Sequence, residues 1–127
     1  MELDSRDCLR QIMAIHGVLG ASLVDYTSGV TIDSTGREPS DDAHVTARGV
    51  AGVVNAALHT PAFTSAGPAQ HVDDIVLTAG NGYHVVHLVG RRSGPLLGVY
   101  VWLDRALGNL AMTQRQLRVL ADSLVSV

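Results

Sequence analysis

The chain has 127 residues, 46% of them hydrophobic and 17% charged, with a formal net charge of −3. This length suits one domain with a self-sufficient core, and the hydrophobic content excludes general disorder. All nine basic residues are arginine, so Schiff-base and general-base chemistry by lysine is excluded.

Among the arginines only Arg91 and Arg92 are adjacent, and no aromatic stripe alternates with them. Nucleic acid is therefore not an expected partner, because neutralising phosphates takes a concentrated basic surface. Cys8 is the single cysteine, so neither an internal disulfide nor a cysteine metal cluster can form. The acidic start Met1-Glu2-Leu3-Asp4 lacks the layout of a signal peptide, and no apolar run approaches the roughly 20 residues of a membrane span. A soluble cytoplasmic protein without membrane insertion is expected. Arginine without lysine points to a GC-rich bacterial coding sequence.

Along the chain, Leu9, Ile12, Met13 and His16 recur at helical spacing and predict a helix over Ser5 to His16, capped by Asp4 or Ser5 and ended by Gly17. Val18 to Tyr26 and Val30 to Ser34 read as a strand hairpin turned at Thr27-Ser28-Gly29. A longer helix follows from Asp41-Asp42 to His59, with Pro61 as its stop. Ala43, Ala47, Gly49, Ala51, Gly52, Ala56 and Ala57 fill it with small side chains. Each glycine costs about 1 kcal/mol of helix stability, so the close approach of a sheet or a second helix is expected to compensate. Three strands come next, Val72 to Ala79, Tyr83 to Val89 and Leu96 to Leu103, with Gly80-Asn81-Gly82 as a hairpin turn. A closing helix from Arg105 to Val125, capped by Asp104, completes the order α-β-β-α-β-β-β-α. That order predicts one α/β domain over 1–127, a five-stranded antiparallel sheet with helices on both faces.

Catalytic machinery is not evident. Gly80-Asn81-Gly82 and Gly90-Arg91-Arg92-Ser93-Gly94 lie between strands, without the helix N-terminus that holds a phosphate. His84 and His87, three apart on a strand, point to opposite faces, and His44 and His59 lie too far apart along a helix to share an ion. Asp41-Asp42 and Asp73-Asp74 are explained by helix capping and a charged sheet edge. Cys8 fits a small core position better than a nucleophile. No metal and no cofactor is expected.

The string Gly17-Val18-Leu19-Gly20-Ala21-Ser22-Leu23-Val24-Asp25 with Gly29-Val30 resembles the start of roadblock/LC7 domains. Val72-Asp73-Asp74-Ile75-Val76-Leu77-Thr78 with Gly82-Tyr83-His84-Val85-Val86 is similar to the central hairpin of actinobacterial members, as is Leu103-Asp104-Arg105 through Asn109-Leu110-Ala111-Met112 to Leu117. The resemblance covers nearly the whole chain. It implies a profilin-like α/β sandwich that forms a homodimer by joining two sheets edge to edge, with the middle helices side by side. It further implies a non-catalytic role beside a small Ras-like GTPase, as in conservon-type operons that also encode a histidine-kinase-like protein. On this pattern the dimer interface falls at Arg48, Ala51, Gly52 and Asn55 of the middle helix and at Val72, Asp74 and Val76 of the strand after it. Arg48 and Asn55 share a helix face and are expected at the rim. The resemblance offers no assignable GTPase contact in the loop Ala62 to His71 and no arginine finger; Arg91 and Arg92 are the only loop pair.

Two other classes stay open. A ligand-sensing domain of the profilin, PAS or GAF kind needs a lined pocket, for which one Phe, one Trp and three Tyr supply little material. A small enzyme would rest on His84 or His87 as a base beside Asp73 or Asp74.

Overall fold

A computed structural model of the chain describes residues 2–64, 72–90 and 94–126. Strand β1 (Leu3–Asp4) leads into helix α1 (Ser5–Met13), where the Asp4 carboxylate accepts the Asp7 N–H at 2.8 Å. The apolar spacing of α1 buries Cys8, Leu9 and Ile12. Cys8 is a core residue whose thiol pKa is raised by burial.

Strands β2 (Val18–Asp25) and β3 (Val30–Gly36) form the first hairpin. Asp25 organises its turn by accepting from the Thr27 hydroxyl, the Thr27 N–H and the Ser28 N–H. The Thr27 hydroxyl foremost holds that carboxyl below its ordinary pKa. Helix α2 (Ala43–Leu58) is capped by Asp42, which accepts the His44 N–H. Pro61 does more than end α2. It opens a short helix α3 (Pro61–Thr64), at the one helical position where a missing N–H costs nothing.

Strands β4 (Asp74–Ala79), β5 (Gly82–Leu88) and β6 (Leu97–Leu103) follow, then helix α4 (Leu110–Asp122) and strand β7 (Leu124–Ser126). Several expected boundaries need correction. Helix α1 ends at Met13 with Ala14 as its C-cap, short of the expected His16. The strand expected from Val72 begins at Asp74, leaving Val72 outside it. The positive φ of the β4–β5 turn sits at Gly82 (137°). The last helix starts at Leu110 and not at Arg105. Asp104 spends its carboxylate on the N–H groups of Ala106 and Leu107 in a separate turn, and Asn109 caps α4 by accepting from Met112. Gly108 lies between them against Leu103, where a Cβ would come within 2.4 Å of Leu103 Cγ. At the far end the helix stops at Asp122, and the next residues form β7, which pairs in parallel with β1.

The five-stranded antiparallel sheet runs in the order β3-β2-β6-β5-β4. Helices α1 and α4 cover one face over a core that includes Ile12, Leu23, Val85, Val101 and Leu117. On the other face α2 buries Ala47, Val50 and Val54 against Val24, Val86, Tyr100 and Trp102. Each fully buried aliphatic side chain of this kind contributes about 1.5–3 kcal/mol of transfer free energy. The two faces are not equally dressed. Helix α1 packs on β2 and β3 while α4 packs on β5 and β6, whereas the single helix α2 packs on β2 and β3. The β5–β4 half of the α2 face is therefore only partly covered among the described residues: Val86 is buried and Ile75 half-buried, but Leu77 stands exposed.

Candidate functional site

That half-covered side forms an apolar groove of about 270 Å³. One wall is the flank of α2, with Val45, Gly49 and Val53; the floor comprises Ile75, Leu77, His84, Val86 and Tyr100. Val45 is 44% exposed and Leu77 50% exposed, so two large apolar side chains stand in water on either side of it. A Cβ added at Gly49 or at Gly52 meets nothing within 4 Å. Among the described residues nothing packs closely enough to need these glycines, so no contact there compensates their helix cost.

One polar pair sits on the groove floor. The Tyr100 hydroxyl donates to His84 Nδ1 at 2.8 Å, and His84 Nε2–H donates to Asn81 Oδ1 at 3.1 Å; the neutral Nε2–H imidazole satisfies both partners. Burial pushes the His84 pKa down and the Tyr100 pKa up, with the Glu38 charge adding to the latter. Below about pH 6.5 the unfolded chain takes up a proton that folded His84 resists, so stability is expected to fall as pH drops through that value. His84→Gln is expected to flatten this part of a urea-denaturation profile; an unchanged slope would contradict the assignment.

The groove opens onto the edge of the sheet. The β4–β5 register is unbroken from Asp74↔His87 to Ala79↔Gly82, and the Leu88 N–H bonds the Asp73 carbonyl. By antiparallel alternation Asp73, Ile75, Leu77 and Ala79 bond to β5, so the N–H and C=O groups of Asp74, Val76 and Thr78 point off the open edge. The opposite edge, β3, pairs through a register shift at Leu23/Val24, the kind of irregularity that blunts an edge. Strand β4 pairs with β5 without such a shift.

Comparison with solved structures decides the fold. A roadblock/LC7 domain from Streptomyces avermitilis superposes with a TM-score of 0.75 at 16% identity, covering 97% of this chain and 94% of that one. The gliding protein MglB from Thermus thermophilus gives a TM-score of 0.73 at 17% identity over 94% of this chain and 84% of its own. MglB in a tetrameric arrangement gives 0.76 at 15% identity over 94% and 84%. The chain has the roadblock/LC7 fold. No protein-family model matches the sequence, and no curated protein matches it significantly.

Within this roadblock/LC7 fold the seven residues expected at a dimer interface fall in different places. Gly52 is exposed on the crest of α2. Arg48 and Ala51 lie on the flank turned toward the β2–β3 hairpin, each beside Gly29. Asn55 is on that flank too, and its amide donates to the carbonyls of Tyr26 and Ala51, both at 2.7 Å. It is a tether within the fold. Val72 precedes β4. Asp74 and Val76 present their backbones to the open edge but their side chains to the α1/α4 face. There Val76 packs on the core, and Asp74 binds His87 Nδ1 and the Gln114 amide.

Val45, Val53, Ile75 and Leu77, which line the groove with Gly49, are not among the residues the sequence singles out. A signal was present in Ile75-Val76-Leu77, since three consecutive apolar residues on a strand require cover on both faces. His84 and His87 do occupy opposite faces, as their spacing implies. His87 meets Asp74 at 2.5 Å, the pairing an acid–base reading would need, but it is only 6% exposed and faces away from the groove. Among the described residues no group of three histidine, cysteine or carboxylate side chains could hold a metal ion. No described helix is long and apolar enough to cross a membrane. Arg91, Arg92, His71, Gly67 and Pro68 lie outside the described residues.

Proposed function

We propose that this chain is a non-catalytic, homodimeric binding module that regulates or scaffolds a small Ras-like GTPase in the bacterial cytoplasm. The observation that supports self-association most is the half-covered α2 face. A second copy related by a two-fold axis at β4 brings its own α2 beside the exposed β4 edge of this face, and pairs the outward groups of Asp74, Val76 and Thr78 with their symmetry mates. Val45, Gly49, Gly52 and Val53 would then meet the partner helix, and the open space at the two glycines sets a short helix–helix distance. The GTPase reading rests on the sequence resemblance to bacterial roadblock/LC7 domains and on the shared fold. MglB's tetrameric arrangement shows that one protein of this fold assembles from several copies.

Sedimentation of the purified chain, alone and with a small GTPase encoded beside it, tests both parts. Twice the chain mass and saturable binding of the GTPase in at least one nucleotide state are expected. A monomer would overturn the self-association, and no binding in either nucleotide state would overturn the partner.

A second reading, small-ligand sensing, is favoured by the His84–Tyr100 pair on the floor of an apolar groove. Native mass spectrometry showing a retained small molecule would support it over the first.

A further inference from the structure

On the opposite face of the sheet, α1 and α4 leave a groove of about 450 Å³, lined by Ala14 and Ile15 on one side and by Arg115, Gln116 and Val119 on the other. A second hollow of about 260 Å³ shares Ala14, Ile15 and Gln116 with it and extends it to Leu107 and Met112. Leu107, Met112 and Val119 are 59%, 54% and 57% exposed, so three large apolar side chains stand in water along one continuous trough.

The charges around it are one-sided. No carboxylate lines either hollow; their titratable residues are Arg115 and His16. Neighbouring cations are already engaged: Arg6 faces Asp33, Arg10 bonds Asp7, and Arg105 lies over the Tyr83 ring. Arg115 has no ion-pair or hydrogen-bond partner among the described residues. Asp122, at the very end of α4, is that helix's only acidic residue.

We propose that the α1/α4 trough docks an amphipathic helix of a partner protein, whose apolar ridge is flanked by carboxylates. A furrow between two helices takes a third by ridges-into-grooves packing, and the Arg115 guanidinium in its lining selects carboxylates. The apolar side chains line a furrow and do not crown a convex surface, which suits a helix better than a lipid bilayer. This face is distinct from the one proposed for self-association, so the two inferences stand or fall separately.

The test uses the full chain and two synthetic helical peptides with leucines at i, i+3, i+4 and i+7. One carries glutamates on the flanking positions, the other lysines. Fluorescence anisotropy is expected to show saturable, salt-sensitive binding of the glutamate peptide and at least about ten-fold weaker binding of the lysine peptide. Reversing charge with Arg115→Glu is expected to abolish that preference. Val119→Asp, at an exposed position that leaves folding intact, is expected to abolish glutamate-peptide binding without altering self-association. The proposal is overturned by equal affinity for the two peptides or by no binding of either. It is equally overturned if phosphatidylserine vesicles bind in place of the peptide, or if Val119→Asp removes a higher-order assembly of the chain itself while no peptide binds.

Discussion

Gly49→Glu is expected to leave the chain monomeric while making the monomer more stable. Position 49 is in the interior of α2, and a Cβ there meets nothing within 4 Å. Replacing glycine by glutamate therefore adds helix propensity without a clash, a gain of up to about 1 kcal/mol in the isolated chain. In the proposed dimer the same side chain lies in an apolar groove with Val45, Val53 and Leu77, and the two-fold axis brings a second carboxylate with it. An uncompensated buried charge costs about 3–5 kcal/mol, so association should weaken by more than about 100-fold. Sedimentation velocity reports the mass and thermal unfolding reports the monomer's stability. A variant that still associates like the wild type would place the interface elsewhere.

The second large effect is expected at the Asp74–His87 pair. His87 Nδ1 bonds Asp74 Oδ1 across β4 and β5, and the Gln114 amide of α4 bonds Asp74 Oδ2, so one carboxylate ties the edge strand to a helix. Both side chains are largely buried, at 7% and 13% relative exposure. His87→Ala strands the carboxylate and opens a cavity, and should cost about 3 kcal/mol, or roughly 10 °C in Tm for a domain of this size. Replacing both residues by leucine, which removes the unpaired polar group along with its partner, should recover most of that loss. Urea denaturation of the single and double variants checks the pair. A single variant within about 0.5 kcal/mol of the wild type would mean that solvent already satisfies Asp74.

Much of the fold was legible because its periodicities are local. Short apolar, β-branched runs bounded by turn residues marked β2, β5 and β6, and Asp42 before a run of small residues marked α2. What lay outside local pattern was missed. Strands β1 and β7 have two and three residues, too few for a period, and exist because the chain ends meet. The start of α4 was misplaced because Asp104 is a good cap residue engaged in a different turn.

The candidate site was half legible for a related reason. Spacing of seven showed that Arg48 and Asn55 share a face of α2, but not which neighbour that face meets. The answer lies in a bond from Asn55 to the Tyr26 carbonyl, 29 residues away in sequence. The rotation of α2 on the sheet turned Val45, Gly49 and Val53 toward the open half, and only tertiary packing sets that rotation. The resemblance to roadblock/LC7 domains, and not the periodicity, marked strand β4 as the edge that would meet a second copy.

The most direct test is amide hydrogen exchange, followed by NMR at several protein concentrations, at Asp74, Val76 and Thr78 on the open edge of β4. If a second copy pairs there, these three amides become protected as concentration rises, and Gly49→Glu removes the protection while the β5 amides stay slow. Exchange at all three that is fast and independent of concentration would contradict the interface, and with it the reading of this chain as a self-associating binding module.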